Sequence, residues 1–239
     1  MILGIILKSL SGDSAEPMHR NKIINNLPVI IKLLKHQTKR WKAPIVGTFA
    51  SGENAPFKIL ISTILSLRTK DKTTEEASHR LFLLADTPEK MICLNLAQIE
   101  KAIYPVGFYH TKAKNILSVC RSLIDEFNGK VPDNLEQLLG LKGVGRKTAN
   151  LVITVGYNKL GICVDTHVHR ISNRWGLVKT KNPNETEMAL RSILPKKYWI
   201  VFNDILVSYG QNLCVPVSPF CSRCTIQAFC AKNSVKSSR

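Results

Sequence analysis

Apolar residues in this chain recur at spacings of three and four, and strict alternation of apolar with polar residues is nearly absent. Between 111 and 127, Ile116, Val119, Cys120 and Leu123 share one helical face, while Lys114, Arg121 and Asp125 fall on the other. The same period, punctuated by Gly and Pro, predicts helices near 22–34, 57–67, 73–84, 96–103, 111–127, 135–139, 145–155, 166–175, 185–193 and 199–209. The fold class is therefore all-α. No repeat of 20–50 residues is present, and only the Ser- and Lys-rich last eight residues read as low complexity.

A chain of 239 residues can bury the cores of one large or two small domains. Its character changes near 156–161, where a domain boundary is expected. Residues 1–17 are expected to form a loose tail, with a basic amphipathic segment beginning at Met18. The opening apolar run is too short for the roughly 20 residues of a membrane span and lacks the basic start of a secretory signal. Seven cysteines, an odd number, with no sign of export argue against a disulfide framework. An intracellular location follows as an expectation.

Charge narrows the class of partner. Lys and Arg number 34 against 17 Asp and Glu, a net charge of +17, which favours a polyanion. Residues 21–50 carry six Lys or Arg and no acid, and 205–239 also carry no acid. Two separated basic stretches fit a surface that tracks a nucleic-acid backbone, with binding that weakens steeply with salt.

Two local patterns carry chemistry. In Leu141-Lys-Gly-Val-Gly-Arg-Lys-Thr-Ala-Asn150, a Gly-x-Gly turn opens a helix, an arrangement whose backbone N–H groups can seat a phosphate. Lys147, in the first turn behind it, is placed to reach a phosphodiester substrate. Near the end, Cys214, Cys221, Cys224 and Cys230 lie within 17 residues, whereas Cys93, Cys120 and Cys163 sit in apolar runs and read as buried core thiols. A Cys-x-x-Cys turn flanked by two further cysteines can close a four-thiolate cage around zinc or a four-iron cluster. Having one Cys-x-x-Cys pair rather than two leans modestly against zinc.

Taken together, the hairpin, the segment Val164-Asp-Thr-His-Val168, the cysteine spacing 6-2-5 and the run Val106-Gly-Phe-Tyr-His-Thr-Lys-Ala113 resemble the endonuclease III family of helix-hairpin-helix DNA glycosylases. The likeness extends from about 22 to 230. It implies two helical domains with DNA in the cleft between them: a six-helix barrel over 48–159, and an iron–sulfur domain made of 18–47 with 160–230, followed by a tail over 231–239. It also implies a 4Fe-4S cluster on the four cysteines, mainly structural, with the loop 215–220 approaching the DNA backbone. The partner implied is double-stranded DNA with damaged bases or abasic sites, bound by a monomer.

On this resemblance Lys147 attacks the sugar C1′ after the damaged base has been flipped out of the stack, giving a Schiff base that permits β-elimination. The attacking amine must be neutral, and the positive helix end near Gly145 together with Arg146 disfavours an ammonium there. Asp165 by position alone reads as a helix N-cap; the resemblance makes it catalytic, and stabilising positive charge on the sugar is favoured over deprotonating the lysine. Gly143, Val144, Gly145 and Arg146 would contact phosphate, with the Val144 and Gly145 amides as donors. Phe108 stands where such enzymes carry an apolar wedge, its alternative being an ordinary core aromatic. His167 is at most a polar or phosphate contact, as are His169 and His110.

One position departs from the family. In the loop 65–71 a glutamine usually fills the gap left by the flipped base, and here Arg68 occupies that place. An arginine fork pairs with guanine O6 and N7, so lesions opposite guanine are the expected preference. The expected activity is a bifunctional glycosylase and AP lyase acting on oxidised pyrimidines of the thymine glycol type. The alternatives are a G·T or G·U mismatch glycosylase, in which the lysine is typically replaced, and a non-catalytic DNA-binding module, which needs neither Lys147 nor Asp165.

Overall fold

The helical spacing of the sequence becomes helices throughout. A computed structural model describes residues 15–41, 49, 52 and 54–239, and among them no strand occurs. Contacts gather the described residues into two compact units, one of 15–41 with 164–239 and the other of 49–163. The expected domain start at 48 and residues 1–14 of the expected tail lie outside the described residues.

The second unit is built around helix α3 (Ala55–Ser66), which buries nine of its 12 residues. A helix apolar all round has to be interior. Its Ser62 and Thr63 hydroxyls are satisfied within the helix, both donating to the Ile59 carbonyl. Against α3 pack α4 (Asp71–Leu84), α7 (Tyr109–Phe127), α9 (Arg146–Leu151) and the turn Val152–Gly156. The short helices α5 (Pro88–Ile92) and α6 (Leu96–Ile103) pack on α7, and α8 (Leu135–Gly140) on α9. Helix α6 opens with a capping box: Asn95 accepts from the Gln98 N–H, and the Gln98 side chain accepts from the Asn95 N–H.

The first unit contains α1 (Ala15–Asn25), α2 (Leu27–Thr38), α10 (Thr166–Trp175), α11 (Pro183–Ile193) and α12 (Trp199–Asn212). Helix α12 packs on both α10 and α2. Leu27, Ile30, Ile31 and Leu34, at helical spacing, supply the buried face of α2. Trp175 and Phe202 meet edge to face with ring centroids 6.2 Å apart.

Several expectations need correction. The helix expected over 22–34 is two helices, because Pro28 lacks the N–H that an uninterrupted helix would use and instead sits in the first turn of α2. Helix α1 starts at Ala15, inside the expected tail. Helix α5, only five residues long, escapes a periodicity reading; Thr87 caps it by accepting from the Lys90 N–H. The helix expected to run to 155 is α-helical only to Leu151 and then widens into a π turn. There the Thr154 hydroxyl donates to the Asn150 carbonyl at 2.8 Å. Cys93 is exposed rather than buried, its Sγ bonded to the Glu89 carbonyl at the end of α5, while Cys120 and Cys163 are buried as expected.

Candidate active site

Within the second unit, residues 141–145 form the tight turn of a hairpin between α8 and α9. Leu141 and Val144 are buried and anchor it. Gly143 has φ +79°, a backbone region an L residue seldom adopts, and a Cβ there would stand 2.6 Å from Asn115 Nδ2. Gly145 differs: a Cβ on it would meet nothing within 4 Å. The Val144 N–H closes the turn onto the Leu141 carbonyl at 3.1 Å. Of the two amides expected as phosphate donors, Val144's is engaged inside the hairpin in this structure. Gly145 is the N-cap of α9, whose first bond runs from the Ala149 N–H to the Gly145 carbonyl at 2.9 Å. Arg146 and Lys147, half-buried, follow in the first turn. Behind them the Cys163 thiol reaches the Lys147 carbonyl at 3.6 Å, tying the lysine's backbone to buried structure.

The same unit brings Arg68 and Phe108 together. Arg68 follows the end of α3 and Phe108 is the N-cap of α7; both are left-handed, with φ 54° and 59°. The guanidinium carbon of Arg68 lies 5.6 Å from the centre of the Phe108 ring. Phe108 is 63% exposed, which excludes a core aromatic. Beneath them lies a residue the sequence reading passed over. Lys112 is buried, and its Nζ donates to the carbonyls of Leu65 (2.8 Å) and Leu67 (2.5 Å) and to the Thr69 hydroxyl (3.2 Å). Burial pushes its amine down to about 8. A signal existed: Lys112 falls in register with Ile116, Val119 and Leu123 on the apolar face of α7.

In the first unit Asp165 is the N-cap of α10. Its buried carboxylate accepts through Oδ1 from the N–H groups of His167 (2.8 Å) and Val168 (2.9 Å). Those two bonds fix its orientation at the positive end of the helix. His167 Nδ1 lies 3.0 Å from Arg170 Nη2. A guanidinium only donates, so Nδ1 accepts and the ring proton belongs on Nε2. Arg170 also donates to the Gly210 and Cys214 carbonyls. His169 pairs with the Thr186 hydroxyl and, in the other unit, His110 with Glu100.

The four C-terminal cysteines line one small cavity, with Trp175, Tyr209 and Leu213 among its apolar walls. Cys214 follows α12, and Cys221 and Cys224 bracket a single 3-10 turn closed by the Cys224 N–H on the Cys221 carbonyl at 3.1 Å. Donors surround the sulfurs: Arg174 Nη1 is 3.5 Å from Cys214 Sγ, and the Lys232 N–H is 3.4 Å from Cys230 Sγ. The Tyr209 hydroxyl shares a 2.9 Å hydrogen bond with Cys224 Sγ. Burial pushes the Cys230 thiol up to about 11 and raises that of Cys224. Among the described residues no three His, Cys, Asp or Glu side chains form a group that could hold a metal ion. The cavity's possible ligand atoms are all sulfur, with hydrogen-bond donors and buried Arg174 around them, so it is the chemistry of the donor set, rather than its spacing in this structure, that matches a thiolate-bound iron–sulfur centre. Residues beyond 230 are held here too: the Ala231 N–H donates to the Trp175 carbonyl, the Arg239 N–H to that of Pro219, and the Arg239 guanidinium lies 4.0 Å from the Phe220 ring centre.

Comparison with known proteins places this arrangement. Residues 61–196 match the model of the HhH-GPD superfamily base excision DNA repair proteins. The chain belongs to that family. It is 46% identical over 178 residues to an endonuclease III of Thermotoga maritima, covering 74% of this chain and 84% of the relative. An endonuclease III of Buchnera aphidicola is 40% identical over 201 residues, covering 84% of this chain and 91% of that one. Among solved structures, a trapped covalent endonuclease III–DNA intermediate superimposes with a TM-score of 0.77 at 32% identity, covering 87% of this chain and 96% of that one. No helix among the described residues is long and apolar enough to cross a membrane.

The cap on α10 can be separated from any chemistry at Asp165. Asp165→Ala should lower stability by about 1 kcal/mol in urea unfolding, whereas Asp165→Asn, a comparable N-cap, should stay close to the parent. Equal losses in both variants would show that the cap contributes nothing distinct.

Proposed function

We propose that this chain is a base excision repair DNA glycosylase with AP lyase activity, acting on oxidised pyrimidines of the thymine glycol type in double-stranded DNA. The observation that carries the reading is Lys147 in the first turn behind the open Gly145 hairpin, in a chain 32% identical to an endonuclease III trapped covalently on DNA. The neutral Lys147 amine attacks C1′ of the flipped nucleotide. The glycosidic bond breaks, and the base leaves with the electron pair and takes up a proton. The nitrogen loses a proton, the sugar ring opens, and a protonated Schiff base remains. Removal of a C2′ proton then expels the 3′ phosphate, and the strand is cut. Asp165, held by its two backbone bonds, faces positive charge developing on the sugar as the base departs.

Gly145 and Arg146 seat the phosphate beside the reacting sugar, while Phe108 and Arg68 enter the duplex, one as wedge and the other in the space the base vacates. His167, turned toward Arg170, supports the Asp165 end of α10. Cys214, Cys221, Cys224 and Cys230 would hold a 4Fe-4S cluster, as family membership suggests. When bound, that group cross-links the chain end through four iron–thiolate bonds.

Borohydride treatment in the presence of a thymine glycol duplex should trap a covalent protein–DNA adduct, and Lys147→Gln should abolish it. Failure of wild-type protein to form an adduct with this or an abasic duplex would overturn the lyase assignment. For Arg68, wild-type protein is expected to excise thymine glycol faster opposite G than opposite A, and Arg68→Gln should reduce that ratio; an unchanged ratio removes the specificity role. Purified protein should carry the broad visible absorption of an iron–sulfur cluster, lost with its bound iron in Cys224→Ser. A colourless protein holding zinc would contradict it.

A further inference from the structure

Arg68 and Phe108 come from loops 40 residues apart in sequence, yet their backbones are built into one another. The Gly107 N–H donates to the Thr69 hydroxyl at 3.2 Å. A Cβ on Gly107 would stand 2.8 Å from the Arg68 carbonyl, so only glycine lets the two turns approach this closely. Both tips are non-glycine residues in the left-handed region, a conformation that persists only where the surroundings impose it. The two exposed side chains then stack outward, cation over ring.

What imposes the conformation lies below. Helix α3 ends at Ser66, so the carbonyls of its last turn and cap, at the floor of the Arg68 turn, have no helical N–H to accept from; Leu65 is buried and Leu67 half-buried. Lys112 reaches them from α7, four residues beyond Phe108. An ammonium has three N–H donors, and three acceptors face it: the carbonyls of Leu65 and Leu67 and the Thr69 hydroxyl. Thr69 is the shared element, since its hydroxyl meets Lys112 on one side and the Gly107 amide on the other. One buried amine thus holds the Arg68 turn directly and the Phe108 turn through Thr69.

The geometry points to Lys112 as a positioning residue that locks Arg68 and Phe108 into a single two-pronged DNA probe. This rests on the reading that both side chains enter the duplex, and it adds that they do so as one preset body whose shape depends on a residue that never touches DNA. Because they are coupled, removing one prong should impair the other.

The test uses full-length protein and a duplex carrying a non-cleavable abasic analogue opposite 2-aminopurine, whose fluorescence rises when the base is unstacked. Arg68→Ala and Phe108→Ala should each reduce the rise, and the double variant should be little worse than the more impaired single one. Lys112→Met, shown to be folded by circular dichroism and thermal melting, should reduce the rise by about fivefold. In that background the effects of Arg68→Ala and Phe108→Ala should become additive. Lys112→Gln, which keeps two N–H donors, should recover part of the response. If Lys112→Met does not fold, Thr69→Val takes its place, removing the shared hydroxyl at nearly constant shape and with the same expected loss of coupling. A full response with coupling retained in folded Lys112→Met or in Thr69→Val overturns the lock alone. A full response in both Arg68→Ala and Phe108→Ala overturns the duplex-entry reading, and the lock with it.

Discussion

Each helix leaves four amides without a partner at its start and four carbonyls at its end, and a buried end must find partners other than water. Much of the chemistry in this protein is built on that requirement. Lys112 answers it where α3 ends, the Asp165 carboxylate answers it where α10 begins, and Arg170 is drawn to the Gly210 and Cys214 carbonyls where α12 finishes. Lys147 follows the cap of α9 by two residues. The candidate site residues therefore sit where backbone polarity has already been arranged, on rigid elements rather than on long loops.

The role proposed for Asp165 is compatible with its capping of α10. A cap needs one oxygen accepting from the first turn, and Oδ1 accepts from both His167 and Val168. The same bonds that stabilise α10 aim the carboxylate, so folding and orientation are one event. The thiol cavity follows a similar logic: Arg174, on the last turn of α10, donates to Cys214 Sγ and to the Val215 carbonyl, and its own carbonyl accepts from the Asn233 N–H. One helix thus carries the catalytic candidate at its start and braces the cysteine loop at its end.

The sequence was most legible where periodicity is long or a motif is dense. The apolar face of α7, the hairpin at 141–147 and the cysteine spacing are all visible as letters. Legibility fails where a tertiary contact decides the outcome. The break between α1 and α2 turns on Pro28, whose cost depends on whether a helix start is available to absorb it. Helix α5 is too short to show a period, and the π turn after Leu151 depends on how Thr154 and its neighbours close the helix. Lys112 sits in plain register on an apolar face, but a lysine there reads as exposed until its three acceptors, more than 40 residues upstream, are known. Phe108 shows the converse, an aromatic letter turned outward by a left-handed cap.

The Gly-Val-Gly hairpin repeats one letter for two unlike requirements. At 143 glycine is demanded by the chain itself, through a positive φ and the crowding of Asn115; at 145 the backbone is ordinary and only the emptiness outside it is special. The two glycines are therefore separable in genetics. A side chain at 143 is a lesion of folding, which second-site changes at Asn115 could relieve. A small side chain at 145 leaves the hairpin intact and alters only what can come up against it, so no repacking of the protein's interior would suppress its effect.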